Sequence, residues 1–182
     1  PYLYPGTNRY MNNFGGEKFG NVDLNKALWL SLNTVVARID DDVLGSTRMK
    51  TFLSGVGLDT KDTYSAIDGI GLYTSTLQAA AAYNAINNGG LYTKPRFIDT
   101  LTFDDGSTKT IPKEQKQVMN QSTAYVLTQM LKGVTTTQGT APTATVDFAG
   151  YVGKTGTVAF EDNVNNNYLY GDGGSDAWFN TI

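Results

Sequence analysis

Apolar positions along this chain alternate between two periods. Leu24, Ala27, Leu28 and Ser31 recur at helical spacing, and Asp23 stands where an N-cap belongs. After Asn33 the run TVVARI resumes an apolar pattern, so Ser31-Leu32-Asn33 marks the join between two helical pieces. STRMKTFLSGVG reads as a further helix capped by Ser46 and closed by Gly55 or Gly57. TSTLQAAAAYNAINNGG begins at Thr74 or Ser75, is Ala-rich enough for close packing, and closes on Gly89-Gly90. A last helix starts near Ser122 and places Ala124, Leu127, Met130 and Leu131 on one face.

Between these lie strand patterns. Arg96 to Phe103 reads as a strand, Asp104 to Ser107 as a hairpin turn, and Thr108 to Ile111 as the return. TTTQGTAPTATVDF is a polar loop, followed by GYVGKTGTVAF, an Asn-rich turn over residues 161–167, and Ser175 to Phe179 as the antiparallel partner. Helices together with an antiparallel sheet give an α+β fold in which the helices form their own subdomain. The opening PYLYPGTNRYMNNFGGEKFGN is rich in Pro, Gly, Asn and Tyr and reads as extended chain with turns, which implies that more sequence precedes it.

Composition narrows the chemistry. A length of 182 residues with 40% apolar and 17% charged side chains fits one globular core. A net charge of −3, with no basic cluster, argues against nucleic acid as a partner. No apolar run approaches the length of a membrane span. The chain has no His and no Cys, which removes the Ser-His-Asp triad, thiolate nucleophiles and the usual zinc ligands. Acid–base work falls to Lys, Asp, Glu or Tyr.

The strand at residues 150–160 is unusual for this reason. Val152, Val158 and Phe160 favour a strand, yet Gly153 and Gly156 weaken it and mark a place where a ligand or another backbone comes close. Lys154, Thr155 and Thr157 set one cation and two hydroxyls around that bare patch, a donor set suited to a carboxylate. Standing alone, the same residues describe an exposed edge strand with a solvated Lys. Ser31 and Asn33 alone describe caps at a helix junction. Asp40-Asp41-Asp42 lacks the spacing of a calcium loop and reads as solvated. Trp29, Trp178, Phe179 and Tyr83 read as packing residues, and Phe14 as bordering a cleft.

Ser31-x-Asn33 followed far downstream by Lys154-Thr155-Gly156-Thr157 is the order of two motifs of serine penicillin-recognising enzymes. With YPGTN (residues 4–8), FGNV-LNKAL-SLN, AAAAYNAINNGG-YTKP and DAWF, the chain resembles the transpeptidase domain of class A penicillin-binding proteins along nearly its whole length. That resemblance implies the penicillin-binding-protein/β-lactamase-like fold and DD-transpeptidation of peptidoglycan through a serine acyl-enzyme, with β-lactam antibiotics as mimics of the stem peptide ending in D-Ala-D-Ala. It implies that Ser31 relays a proton to the leaving group. Asn33 would hold the substrate amide and the lysine of the nucleophile motif, and Lys154 would supply positive charge and support the relay. Thr155 and Thr157 would bind the substrate carboxylate, Gly156 would make room for the docked peptide, and the Thr157 N–H would be one oxyanion-hole donor. No cofactor or metal is implied.

One motif is missing. None of the eight serines (31, 46, 54, 65, 75, 107, 122, 175) has Lys three places later, so S-x-x-K does not occur here. The resemblance therefore implies that residues 1–182 are part of a transpeptidase domain truncated at both ends. The remaining N-terminal part of the protein would carry the nucleophile helix, a glycosyltransferase domain and a membrane anchor on the extracytoplasmic face of the cell membrane. The fragment by itself would be soluble and inactive. A DD-carboxypeptidase or β-lactamase of the same superfamily, a non-catalytic β-lactam-sensing or wall-binding module, and a generic adhesion domain remain open on the residues alone.

Overall fold

The computed structural model describes residues 1–5, 8, 10–60, 64, 68–144, 150–159 and 174–182. The Asn-rich turn expected over 161–167, part of the YPGTN stretch and the end of the TATVDF loop lie outside these residues. Chain order is β1 (Tyr2–Leu3), β2 (Tyr10–Met11), α1 (Leu24–Trp29), α2 (Asn33–Arg38), α3 (Ser46–Gly55), α4 (Thr76–Asn87), β3 (Leu91–Thr93), β4 (Thr100–Thr102), β5 (Thr108–Thr110), β6 (Gln115–Gln117), α5 (Gln121–Leu131), β7 (Gly153–Ala159) and β8 (Gly174–Thr181). The described strands pair antiparallel two by two: β1 with β2, β3 with β6, β4 with β5, and β7 with β8. The α+β class expected from the pattern is the one observed.

Local chemistry explains most boundaries. Asp23 caps α1 by accepting from the Lys26 N–H at 2.8 Å. Ser75 and Gln78 form a reciprocal capping box at the start of α4. That helix ends on Gly89 and Gly90, both in the left-handed region, and Gly90 is obligatory because a Cβ there would lie 2.1 Å from the Met119 carbonyl oxygen.

Several expectations need correction. Ser46 does not cap α3: it is the first helical residue, and the cap position belongs to Gly45 at φ 74°. The strand expected from Arg96 is confined to Thr100–Thr102; upstream of it the Arg96 guanidinium donates to the Ile111 carbonyl at 2.6 Å and pairs with Asp99 at 2.6 Å. Ser122 lies inside α5, whose cap position is Asn120.

The acidic run is not all solvated either. Residues 39–44 continue α2 as a π-helical turn, which keeps Asp40 on the face of the fully buried Ala37, three residues earlier. Asp40 is 3% exposed and accepts from the Tyr64 hydroxyl at 2.9 Å, while its Oδ1 has no partner. Asp41 accepts from the Tyr2 hydroxyl, and that bond together with burial pushes the Tyr2 phenol up to about 12.

Two apolar clusters organise the chain. Tyr2, Met11 and Ala37, with Tyr4 against them, tie β1 and β2 to α2. Leu131, Val134 and Val152 form the second, with Leu28, Trp29, Leu127, Ala141 and Ile182 packed on it. The Trp29 indole donates to the Met130 carbonyl at 2.6 Å and lies flat over Gly133, where a Cβ would come within 1.9 Å of the ring. This second cluster joins the end of α1, α5 and the start of β7, and so brings together segments more than 100 residues apart.

Candidate active site

Ser31 is presented by a Schellman turn. After Leu30 caps α1, the Ser31 N–H donates to the Leu28 carbonyl at 3.2 Å and the Leu32 N–H donates to the Ala27 carbonyl at 2.9 Å. The first residue beyond the cap must then be left-handed, a position usually held by Gly. Here it is Ser31, at φ 55°, the single non-glycine residue with positive φ among the described residues. The left-handed backbone costs about 1–2 kcal/mol for an L-residue. Leu32, 3% exposed, anchors the turn from its far side.

Asn33 opens α2, and the α2 N-terminus is held from a distance. The Asn13 Oδ1 accepts from the Thr34 N–H at 3.1 Å and from the Thr34 hydroxyl at 3.0 Å, satisfying an orphan helix donor from 21 residues away. Asn33 Nδ2 donates to the Asn12 carbonyl at 3.3 Å. Asn12 and Asn13 thus strap the helix that follows Ser31. Sequence reasoning missed both, because a distant Asn pair in a Gly-rich segment carries no local capping signal.

β7 supplies the opposite wall. Val152 and Ile182 exchange both backbone hydrogen bonds, at 2.9 and 3.1 Å, so Lys154 opposite Asn180 and Gly156 opposite Trp178 are also hydrogen-bonded pairs. Thr155 and Thr157, at the alternate non-hydrogen-bonded positions opposite Phe179 and Ala177, direct their N–H and C=O groups to the edge away from β8. No other strand pairs on that edge among the described residues. Side chains alternate, with Lys154 and Gly156 on one face of the hairpin and Gly153, Thr155 and Thr157 on the other.

From this strand the Lys154 Nζ donates to the Ser31 Oγ at 2.7 Å and to the Thr155 carbonyl at 2.9 Å. An ammonium has three donors, so one remains for a ligand. No carboxylate pairs with Lys154 among the described residues. Burial, uncompensated by a counter-charge, lowers its pKa below the usual lysine value. Lowering the cost of the neutral amine makes proton exchange with the neighbouring Ser31 hydroxyl easier.

Thr155 Oγ1 lies 2.6 Å from Thr140 Oγ1, and the Thr157 side chain is exposed. Thr140 was not singled out in the sequence, where it sits in a polar Thr-rich loop. The two strand glycines differ in purpose. A Cβ on Gly153 would lie 2.7 Å from the Phe179 ring, so the close approach there is by the hairpin's own aromatic residue rather than by a ligand. A Cβ on Gly156 would meet the Trp178 Cβ at an ordinary 3.5 Å, so the protein's own packing does not require Gly there. Phe14, expected near a cleft, stands in solvent.

The arrangement brings Ser31, Lys154 and Thr155 into one connected group, with Asn33 two residues beyond Ser31 and Thr157 two residues beyond Thr155. Its chemistry is a strand edge that no described strand covers, a half-buried cation and hydroxyl donors. Those features suit an extended peptide ending in a carboxylate. Among the described residues no cluster of three or more acidic side chains is placed to hold a metal ion, and no helix is long and apolar enough to cross a membrane.

Comparison with known proteins points the same way. A family model described as the penicillin binding protein transpeptidase domain matches residues 2–181. Penicillin-binding protein 1A of Streptococcus oralis is 36% identical over 182 residues, covering 95% of this chain and 28% of that protein. Penicillin-binding protein 1A/1B of Bacillus subtilis is 34% identical over 167 residues, covering 88% of this chain and 18% of that protein. The chain thus spans less than a third of the length of these relatives. Among solved structures, penicillin-binding protein A of M. tuberculosis, an imipenem acyl-enzyme complex, superposes with a TM-score of 0.71 at 22% identity over 87% of this chain and 42% of that one. The D,D-transpeptidase domain of a peptidoglycan glycosyltransferase from Eggerthella lenta gives 0.68 at 23% identity, over 85% and 46%. At these identities the structural likeness speaks to the fold.

Proposed function

The chain belongs to the penicillin-binding protein transpeptidase domain family, and from that membership we propose that the protein carrying it cross-links peptidoglycan by DD-transpeptidation. The observation that carries the assignment to these residues is the hydrogen bond from the half-buried Lys154 Nζ to the Ser31 Oγ at 2.7 Å.

A stem peptide ending in D-Ala-D-Ala lies along the open edge of β7, its terminal carboxylate held by the hydroxyls of Thr155 and Thr157 in a pocket that Lys154 makes positive. A serine of an S-x-x-K segment in the preceding part of the full protein attacks the carbonyl between the two D-alanines. The new Oγ–C bond forms as the C–N bond breaks, and Ser31 relays the serine's proton to the departing D-Ala amine. The Thr157 N–H, already turned to the open edge, is one donor to the oxyanion. An amine of a second stem peptide then attacks the ester, forms the cross-linking amide and returns a proton to the serine. Asn33 holds the substrate amide and the lysine of the nucleophile motif, and Gly156 leaves room for the docked strand. β-Lactams acylate the same serine. Residues 1–182 are one part of the catalytic domain, and a glycosyltransferase domain and a membrane anchor, on the outer face of the bacterial membrane, belong to the same protein.

The test is incubation of the full-length protein with a stem pentapeptide and an acceptor amine. One D-Ala released for each new amide formed is the expected result. D-Ala release without amide formation would make it a carboxypeptidase, and no release would leave only a binding module.

A further inference from the structure

We propose that Thr140 is a positioning residue for the carboxylate end of the ligand, acting through the hydroxyl of Thr155. The inference rests on the transpeptidase reading and deepens it. Its origin is one geometric fact, the 2.6 Å separation of the Thr140 and Thr155 Oγ1 atoms. Each hydroxyl owns one proton and two lone pairs, so a single proton lies between the two oxygens. If Thr155 spends its proton on Thr140, it offers only lone pairs to an incoming carboxylate, which repels them. If Thr140 donates, the Thr155 proton is free to point at the ligand. The Thr155 O–H, polarised by the bond its oxygen accepts, then becomes a stronger donor. A bound carboxylate selects the second arrangement, and Thr140 is what makes that arrangement available.

Thr140 is held for this task by backbone rather than by chance contact. Its N–H donates to the Trp29 carbonyl at 3.2 Å, and the next residue, Ala141, donates to the Val134 carbonyl at 2.9 Å. Gly139 lets the chain pass so close to Val134 that a Cβ would lie 2.2 Å from its carbonyl oxygen. Trp29 is in turn fixed by its indole bond to Met130 and stands two residues before Ser31. The residue that anchors Thr140 therefore also closes the helix that delivers Ser31, and the two hydroxyls reach the two ends of Lys154-Thr155 from a common base.

A hydroxyl that merely ties the loop to β7 would affect stability and every ligand alike. The discriminating experiment measures acylation rate constants of the full-length protein for a penicillin with a free carboxylate and for its methyl ester. Thr140→Val keeps the shape and removes the hydroxyl, and Thr140→Ser keeps the hydroxyl. The preference for carboxylate over ester is expected to fall about tenfold in Thr140→Val and to return in Thr140→Ser. Retention of the wild-type preference in Thr140→Val, whether the two rates fall together or hold, would overturn the assignment. Should Thr140→Val fail to fold, Thr140→Ala decides by the same ratio. A wild type acylated by neither compound would instead overturn the transpeptidase reading, and this assignment with it.

Discussion

Lys154 and Ser31, 123 residues apart in the chain, meet at 2.7 Å with no carboxylate beside them among the described residues. A lysine half-buried next to a hydroxyl rather than an acid is poorly placed for stability and well placed for moving a proton. Burial lowers its pKa in the fold while the unfolded chain keeps the ordinary value. The sign follows directly: below the lowered pKa both states hold the proton and the buried charge costs stability. As pH rises through the folded pKa toward 10.5, the unfolded state binds more protons and stability increases. Replacing Lys154 with Met is expected to raise the thermal midpoint at neutral pH and to flatten the rise on the alkaline side. Thermal unfolding of both proteins across pH checks this, and an unchanged pH slope contradicts it.

Ser31 holds a left-handed turn position that Gly fills without strain. Ser31→Gly should therefore be more stable than Ser31→Ala by about 1 kcal/mol, although both remove the hydroxyl that Lys154 contacts. Equal unfolding midpoints for the two variants would show that the turn does not constrain this residue. Acylation by penicillin should be lost in both.

The two glycines of the K-T-G-T strand predict opposite outcomes. Gly153→Ala drives a methyl into the Phe179 ring and the Asn180 carbonyl, and is expected to cost about 1–3 kcal/mol. Gly156→Ala meets only an ordinary contact with Trp178, so stability should stay within about 0.5 kcal/mol. If a peptide docks along this strand, the same methyl should slow acylation. Loss of stability at Gly156 would mean that the residue serves the hairpin and not a ligand.

Asp40 tests the interior of the helical region. Burial first, then the neighbouring Asp41 and Asp68 charges, raise its pKa, while the bond from Tyr64 opposes the rise. A raised folded pKa means that the charged form costs stability at neutral pH, a cost removed as pH falls through the folded value. Asp40→Asn should unfold at a higher temperature than wild type at pH 7, with the difference shrinking on acidification. A difference that stays constant with pH would show that Asp40 is not charged and buried as described.

Much of this was legible in the sequence wherever the signal was local. Asp23 and the helix start at Thr74 or Ser75 were legible because capping needs only the next turn, which the Ser75–Gln78 box then supplies. The pairing of the K-T-G-T strand with DAWF followed from two strand patterns around an Asn-rich stretch. What was not legible depended on distance or on an atypical backbone. β6, Gln115–Gln117, has no apolar alternation and exists because β3 pairs with it. Asn13 caps a helix 21 residues away, and Thr140 matters only because Trp29 and Gly139 place it against Thr155. Asp40 looked solvated because a run of three acids reads as surface, whereas its place three residues after the buried Ala37 puts it on the inner face, against Tyr64.

The central claim is that the Lys154–Ser31 pair serves a nucleophile that residues 1–182 do not themselves contain. Peptide mapping of the full-length protein after brief exposure to a penicillin, in wild type and in Lys154→Ala, tests it most directly. The expected result is one adduct on the serine of an S-x-x-K segment outside residues 1–182, formed at least tenfold more slowly in Lys154→Ala. An adduct on a serine or threonine within residues 1–182, or an undiminished rate in Lys154→Ala, would contradict the account.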